Sequence, residues 1–353
     1  YVDTGRFAVC SASPELFFRL DGRQLTTRPM KGTAARGRFL AEDEARAEGL
    51  YRSEKDRAEN IMIVDMIRND LGRIATAGSV RVPHLFEVER YPNLWQMTST
   101  VTAETHASFC EIMAALFPCA SITGAPKVNT MKIIADLETD PRRVYTGCIG
   151  FFAPGRQAQF NVTIRTVLVD RTEGRAEYGV GSGIVWDSVT GDEYAECRLK
   201  AQVLTERRPD FSLLETMLWR PNKGYFLLSS HLRRLRESAD YFDFPVKMGR
   251  IREKLSDLAS SLPRKPYKVR LLVAADGSVS LQATPLSGSL APQLVRLKLA
   301  SSAIDNANPF LYHKTTCRQI YDDARAAASD CDDVLLWNER GEITETTIAN
   351  VIV

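Results

Sequence analysis

The chain has no C-x-x-C spacing, no cluster of cysteine with histidine, no long apolar run and no surplus of either charge. Each absence excludes something. Its seven cysteines are odd in number and scattered, so they read as reduced thiols and not as a disulfide frame or a zinc site. No stretch reaches the roughly twenty apolar residues a membrane-crossing helix needs, and no signal-peptide pattern opens the chain. Lys+Arg number 46 against 44 Asp+Glu, which gives no electrostatic case for nucleic acid or a membrane surface. Cytoplasmic is the expected compartment.

What is present is an ordinary globular composition, 353 residues of which 44% are hydrophobic, enough for two domains or one large one. The ends are abrupt. Tyr1 starts without Met in a structured-looking stretch, and the run Ile348–Val353 resembles an unfinished strand, so a piece of a longer protein is expected. In the first part, strand-like runs (Phe7–Cys10, Leu16–Leu20, Ala158–Val169, Arg175–Val180) alternate with helical ones (Ala41–Leu71, Ser108–Leu116, Thr130–Leu137, Asp192–Leu204). Thr205-Glu206-Arg207-Arg208-Pro209-Asp210 is polar and proline-broken, which places a boundary there. Beyond it, Leu213–Leu218 and Gly224–Leu228 read as strands, His231–Phe242 and Ile251–Ser261 as helices, and Lys268–Ala274 with Val279–Ala283 as a hairpin. Two α+β domains, residues 1–206 and 207–353, are expected.

Chemistry concentrates first around Lys31, in Arg28-Pro29-Met30-Lys31-Gly32-Thr33, downstream of Ser13-Pro14-Glu15. A lysine with a carboxyl group could pair a nucleophile with a general acid, although a solvated lysine and an unrelated glutamate are the commoner case. On the helix Asp192–Leu204, Glu193, Glu196 and Lys200 share a face; taken alone, that is an ordinary solvated face with a Glu–Lys pair. Glu59 begins an apolar helix expected to be buried, where a carboxylate needs a partner. Three converging glutamates, Glu59, Glu193 and Glu196, suit Mg²⁺, which prefers oxygen ligands. Ser121–Lys127 leads into a helix with backbone N–H groups suited to an anion, and Arg165 ends a strand with a fork that matches a carboxylate. The glycines 179, 181 and 183 have the wrong spacing for a dinucleotide loop.

These segments in order (Ser13-Pro14-Glu15, Pro29-Met30-Lys31-Gly32-Thr33, Glu59 to Gly72, Ile122–Lys127, Phe160–Thr166 and Gly181–Ala201) resemble the chorismate-utilising enzymes over nearly all of residues 1–206. The resemblance implies an α/β/α sandwich lacking its N-terminal portion, with the site between its sheets. Lys31 selects within the family. Anthranilate synthases carry alanine at that position, and aminodeoxychorismate synthases carry lysine. The implied roles are attack by Lys31 on ring C2 of chorismate, protonation of the departing C4 hydroxyl by Glu15, and entry of ammonia at C4. Mg²⁺ on Glu59, Glu193 and Glu196 would anchor the ring carboxylate, with Arg165, Lys200, Gly181 and the Gly124–Ala125 amides holding the substrate. Gln96 stands where the family usually has histidine, and it is kept only as a contact, since an amide supplies no proton as imidazolium does.

A second constellation follows the boundary: Lys314 in Tyr312–Arg318, Glu345 in a strand after the Asn338–Glu342 turn, and Arg234 in the helix opened by His231. A solvated lysine is again the commoner reading. Together, however, a Schiff-base lysine, a carboxylate for a pyridinium nitrogen and an arginine for a phosphate are what pyridoxal phosphate requires. The segments resemble fold-type IV pyridoxal-phosphate enzymes, which include aminodeoxychorismate lyase. That resemblance implies Lys314 as the cofactor lysine, Glu345 on the pyridine nitrogen, Arg234 on the phosphate and Thr216 on the substrate side. Only the first part of that domain is expected here. The family's second phosphate-holding loop would lie past Val353, so poor cofactor binding, or none, is expected of the chain as it stands.

Jointly the two resemblances imply a bifunctional route from chorismate to 4-aminobenzoate, a folate precursor. Ammonia would come from a separate glutamine amidotransferase subunit, and a homodimer through the second domain is a family-level expectation. The alternatives are anthranilate or isochorismate synthesis joined to an aminotransferase, or a synthase whose C-terminal half is a non-catalytic docking module.

Overall fold

The computed structural model describes residues 1–352 apart from 187, 203, 205–208, 287–293 and 329, and without the side chain of residue 199. Most of the expected boundary run, with Asp187, Val203, Val353 and the Leu199 side chain, therefore lies outside the described residues. The chain divides into two units, residues 1–35 with 46–207 and residues 36–45 with 208–353. The architecture is mixed α/β in both.

In the first unit, the larger sheet runs in the order Met30–Ala35, Leu94–Glu104, Gln24–Arg28, Leu16–Asp21, Gln157–Val162 and Cys148–Ala153, with Arg81–Arg90 also paired to Leu94–Glu104. A second sheet joins Val2–Asp3, Phe7–Ser11, Thr166–Asp170 and Arg175–Tyr178. The run Ala158–Val169 is thus two strands in two different sheets. The break falls at Thr163–Arg165, where Arg165 takes a left-handed backbone with φ of 48°.

Ala41–Leu71 is also two elements, the helices Leu40–Arg52 and Glu54–Gly72. Ser53 divides them because its side chain accepts the Asp56 N–H and caps the second helix. That second helix is not buried all round, as the apolar sequence suggested. It buries Asn60, Ile63, Val64, Ile67 and Leu71, spaced three and four apart, while Ile61 and Met62 stay exposed. The buried face packs on Phe18, Leu20, Leu25 and Val101 of the larger sheet. This packing ties the Glu59 turn to the sheet that carries Lys31.

The second unit has an antiparallel sheet in the order Gly224–Tyr225, Leu213–Arg220, Tyr267–Val273 and Val279–Pro285. Leu213, Met217, Val269 and Leu271 pack against Leu232, Leu235 and Ala239 of helix Leu228–Phe242 and Ile251 and Leu255 of helix Met248–Ser261. The expected strand Gly224–Leu228 is shorter because Leu227 turns left-handed, with φ of 53°, and the helix begins at Leu228. A smaller sheet, Leu297–Leu299, Asp333–Trp337 and Ile343–Thr346, packs its apolar face against Tyr321 of helix Gln319–Ala326. Residues Arg36–Ala45 belong to this unit although they directly follow the Lys31 strand; no sequence signal marked them.

Candidate active sites

Lys31 lies on strand Met30–Ala35, and three contacts fix its segment. Asn60 Nδ2 donates to the Lys31 carbonyl at 3.3 Å, Gln96 Nε2 donates to the Gly32 carbonyl at 2.7 Å, and Thr33 Oγ1 donates to Gln96 Oε1 at 3.2 Å. Gln96 is therefore a clamp on the Lys31-Gly32-Thr33 strand, a role no sequence pattern revealed. Gly32 cannot be replaced cheaply, because its φ is +93° and a Cβ would stand 2.9 Å from Asp56 Cβ.

The strand opens onto a cavity of about 770 Å³ lined by Glu15, Lys31, Glu59, Gln96, Arg165, Gly181, Glu193, Glu196 and Lys200, among others. Nine residues singled out from the sequence are thus brought together. Glu15 is only 4% exposed. Burial raises its pKa above the ordinary carboxyl value, opposed by a hydrogen bond from Ser121, the positive charge of Lys31 and the Met30 N–H. The Ser121 hydroxyl donates to Glu15 Oε1 at 2.5 Å. A buried carboxyl group whose protonated form is favoured by burial, beside an amine, is equipped to supply a proton where the amine attacks. Cys119, whose Sγ lies 3.1 Å from Ser121 Oγ, is no rival nucleophile: burial, then the Glu15 charge, pushes its thiol up to about 12.

Gly124 and Ala125 do not line this cavity; Ser121 and Ile122 take their place on its wall. The Gly124 N–H is engaged with the Ala120 carbonyl at 3.1 Å, because Gly124 closes the short helix Ala120–Thr123, so it is not turned to an anion. Pro126 caps the next helix, and Lys127 pairs with Asp70 at 2.6 Å. The glycine run lies against Tyr145, which the sequence did not single out. A Cβ on Gly179 would come within 2.3 Å of its ring, and one on Gly181 within 2.7 Å of its hydroxyl. A Cβ on Gly183 would sit 3.2 Å from Lys31 Nζ. These glycines leave room for an aromatic wall and for the lysine.

The carboxylates only partly fit a metal. Burial raises Glu59, with Asp56 and Glu193 pushing the same way against Lys31 and Lys55. A hard dication would relieve that crowding. However, Glu193 accepts from Ser188 Oγ at 2.7 Å, and Glu196 pairs with Lys200 at 2.7 Å. Among the described residues no three such groups are gathered for a metal. Lys200 Nζ also donates to the Gly181 carbonyl at 2.8 Å.

In the second unit, burial lowers the pKa of Lys314, as do Arg234 and, more weakly, Arg318, while Glu215 and Glu345 oppose the shift. The sequence-derived trio Lys314, Arg234 and Glu345 is therefore one electrostatic cluster. Glu345 accepts the Tyr321 hydroxyl at 2.7 Å, and Arg318 stacks over the Tyr321 ring at 4.4 Å. Arg234 donates twice to buried Glu215, at 2.8 and 2.6 Å, and Glu215 also meets His231 Nδ1 at 2.7 Å. Glu215 and His231 went unnoticed, although His231 and Arg234 sit three apart on one helix face. Thr216 stands partly exposed on the same strand, two residues beyond Leu214, whose N–H holds the Lys314 carbonyl at 2.9 Å. The residues suit pyridoxal phosphate, since among the described residues Arg234 uses only Nε and Nη2 on Glu215, leaving Nη1 for a phosphate, and Glu345 is a carboxylate on strand Ile343–Thr346.

A buried acid facing an amine in a charged cavity, with a second lysine ringed by cations and a carboxylate, is the constitution of an enzyme. Residues 1–206 match the chorismate binding enzyme family, and the chain belongs to it. Residues 212–353 match the class IV amino-transferase family. The chain is 43% identical over 220 residues to aminodeoxychorismate synthase component 1 of Bacillus subtilis, covering 62% of this chain and 46% of that protein. It is 37% identical over 206 residues to anthranilate synthase component 1 of Methanothermobacter thermautotrophicus, covering 58% and 44%. Among solved structures, anthranilate synthase component I of Streptococcus pneumoniae superposes with a TM-score of 0.52 at 34% identity, covering 58% of this chain and 45% of that one. The chain thus spans less than half the length of each of these relatives.

Proposed function

We propose that this chain takes part in two consecutive steps, amination of chorismate at C4 and then loss of pyruvate to give 4-aminobenzoate. The observation that carries the first step is Lys31 sharing a cavity with buried Glu15, in a chain with aminodeoxychorismate synthase relatives 43 to 47% identical to it. In this reading the Lys31 amine attacks ring C2 as Glu15 gives its proton to the leaving C4 hydroxyl. Ammonia then bonds to C4 and expels the lysine, and Glu15 is reprotonated by the proton released. Arg165 and Lys200 would hold the substrate's carboxylates. Mg²⁺ would be held by Glu59 and Glu193, and by Glu196 once it leaves Lys200. The name "component 1" borne by these relatives supports a separate amidotransferase subunit as the ammonia source.

For the second step, bound pyridoxal phosphate would supply an electron sink for breaking bonds at the amine-bearing carbon. This chain's part is to place Lys314 for covalent attachment and as a proton carrier, to hold the phosphate with Arg234, and to hold the ring nitrogen with Glu345, itself fixed by Tyr321.

The test supplies chorismate, ammonium and Mg²⁺ to the chain in its parent protein, with and without pyridoxal phosphate, and identifies products by chromatography and mass. Aminodeoxychorismate without the cofactor and 4-aminobenzoate with it are expected. Anthranilate or isochorismate would refute the Lys31 assignment, and aminodeoxychorismate that never proceeds would refute the second step.

Ser121 gives a pH test of the acid. Its hydroxyl stabilises ionised Glu15, so Ser121→Ala raises the Glu15 pKa further. A general acid works only while protonated, so activity is lost as pH rises through that pKa. The alkaline limb of the amination rate is expected to move to higher pH in Ser121→Ala, and an unmoved limb would remove Glu15 from the role.

A further inference from the structure

The neighbour of the second lysine is built into the molecule more firmly than a loop residue needs to be. His313 is 5% exposed. Its Nδ1 meets Ser238 Oγ at 2.9 Å and its Nε2 meets the Arg38 carbonyl at 3.2 Å. Burial first of all lowers its pKa to about 4, so the ring is neutral and carries one N–H. A carbonyl can only accept, so Nε2–H donates to Arg38 and Nδ1 accepts the Ser238 hydroxyl proton. That assignment satisfies both partners and leaves the ring one orientation. Tyr241 stacks on the imidazole at 4.4 Å, and Phe242 meets it edge-on at 4.8 Å.

The Arg38 carbonyl belongs to the segment Arg36–Ala45, which is itself locked. Asp43, fully buried, takes three bonds of 2.7 to 3.0 Å from Arg36 and one of 2.8 Å from the Gly37 N–H. Arg36 lies over the Tyr241 ring at 4.6 Å and donates to the Tyr241 carbonyl at 2.8 Å. The Tyr241 hydroxyl donates back to the Gly37 carbonyl at 2.6 Å. Arg38 also donates to the hydroxyl of Tyr312, the residue before His313, at 2.9 Å. On the other side of Lys314, the Thr316 N–H bonds the Ser212 carbonyl at 2.9 Å. The backbone around the lysine is therefore held on one side by strand Leu213–Arg220 and its approach, and on the other by a segment the chain supplied some 270 residues earlier.

We propose that Arg36–Ala45 is the seat that fixes His313, and that through His313 it positions the amine of Lys314 for the second reaction. His313, Ser238 and Gly37 are positioning residues and touch no substrate. The proposal rests on the reading of Lys314 as the cofactor lysine, yet it can be tested without the cofactor. The intact chain is acylated with trace acetic anhydride over a range of pH, and the extent of Lys314 labelling is read by peptide mass spectrometry, which gives the midpoint of that one amine.

His313→Ala frees the backbone and lets the amine reach water, so the Lys314 midpoint moves up toward that of an ordinary lysine. His313→Gln keeps a donor for the Arg38 carbonyl and is expected to retain most of the native midpoint. Gly37→Ala acts from the seat alone, because a Cβ there would lie 2.2 Å from the Asp43 backbone nitrogen, and it should shift the midpoint in the same direction as His313→Ala. Should His313→Ala fail to fold by circular dichroism, Ser238→Ala and Gly37→Ala carry the test. Midpoints unchanged in the folded variants would overturn the proposal. Borohydride trapping of the wild-type parent protein with pyridoxal phosphate separately tests the cofactor reading: no adduct on Lys314 there defeats that reading and, with it, the seat's catalytic purpose, whatever the acylation midpoints show.

Discussion

Lys31→Ala is expected to lower the rate of ammonia-dependent chorismate amination by about 10³-fold or more while leaving the fold intact. A loss of that size is about 4 kcal/mol of transition-state stabilisation, and its physical source is specific. Direct displacement at C4 asks ammonia to arrive from solution just as the hydroxyl, protonated by Glu15, leaves as water. With Lys31, the water departs against an amine already held in the cavity, and ammonia then enters at C4 by expelling that amine. Alanine removes the first nucleophile but keeps Glu15, Ser121 and the carboxylate-binding cations, so substrate affinity should change far less than turnover. A variant with raised KM and unchanged kcat would make Lys31 a binding cation only. The fold should tolerate the change because Lys31 is held through its carbonyl by Asn60, which the substitution leaves in place. Stopped reactions quantified for amino-deoxychorismate, with melting temperature measured alongside, check both halves.

How much of this site was legible in the sequence depends on whether a residue's role is local. Lys31, Glu15 and the glutamates of helix Thr190–Gln202 each read alone as ordinary surface charge and were singled out by motifs that resemble a known family; the structure gathers them around one cavity. The clamp Gln96 makes across strands on Gly32 and Thr33, some sixty residues away, could not be read, because it exists only once the two strands pair. Ser121 stood in plain view at the start of an anion-cradle loop, but its hydroxyl found Glu15 across 106 residues. The engagement of the Gly124 N–H has a similar cause. A loop leading into a helix suggested open N–H groups, while the chain used that glycine to close a four-residue helix. Long runs of one periodicity misled: Ala41–Leu71 hid a serine cap, and Ala158–Val169 hid a left-handed arginine between two sheets. The seat at Arg36–Ala45 was invisible because nothing in its composition distinguishes a segment that packs forward in the chain from one that packs back.

Lys314→Ala is expected to stop the second reaction altogether. In the parent protein, borohydride reduction after pyridoxal phosphate should place a pyridoxyl group on the Lys314 peptide of the wild type and none there in the variant. Formation of 4-aminobenzoate should fall by at least about 10³-fold, with aminodeoxychorismate accumulating in its place. The direction of the Lys314 pKa sets this lysine apart from the many exposed ones as the candidate reactive amine. Burial, reinforced by Arg234 and Arg318, disfavours its charged form. The unfolded chain therefore binds a proton there that the folded chain gives up at lower pH, so folding favours the neutral, nucleophilic amine between the two pKa values. The same two arginines would hold the cofactor's anionic groups close to the amine that must capture it. Arg234 does so with its orientation set by Glu215, which links cofactor capture to a carboxylate buried at the strand's start. A pyridoxyl adduct found on other lysines, with Lys314 unlabelled in the wild type, would show that the cluster is an ion-pair network holding the sheet and not a cofactor site.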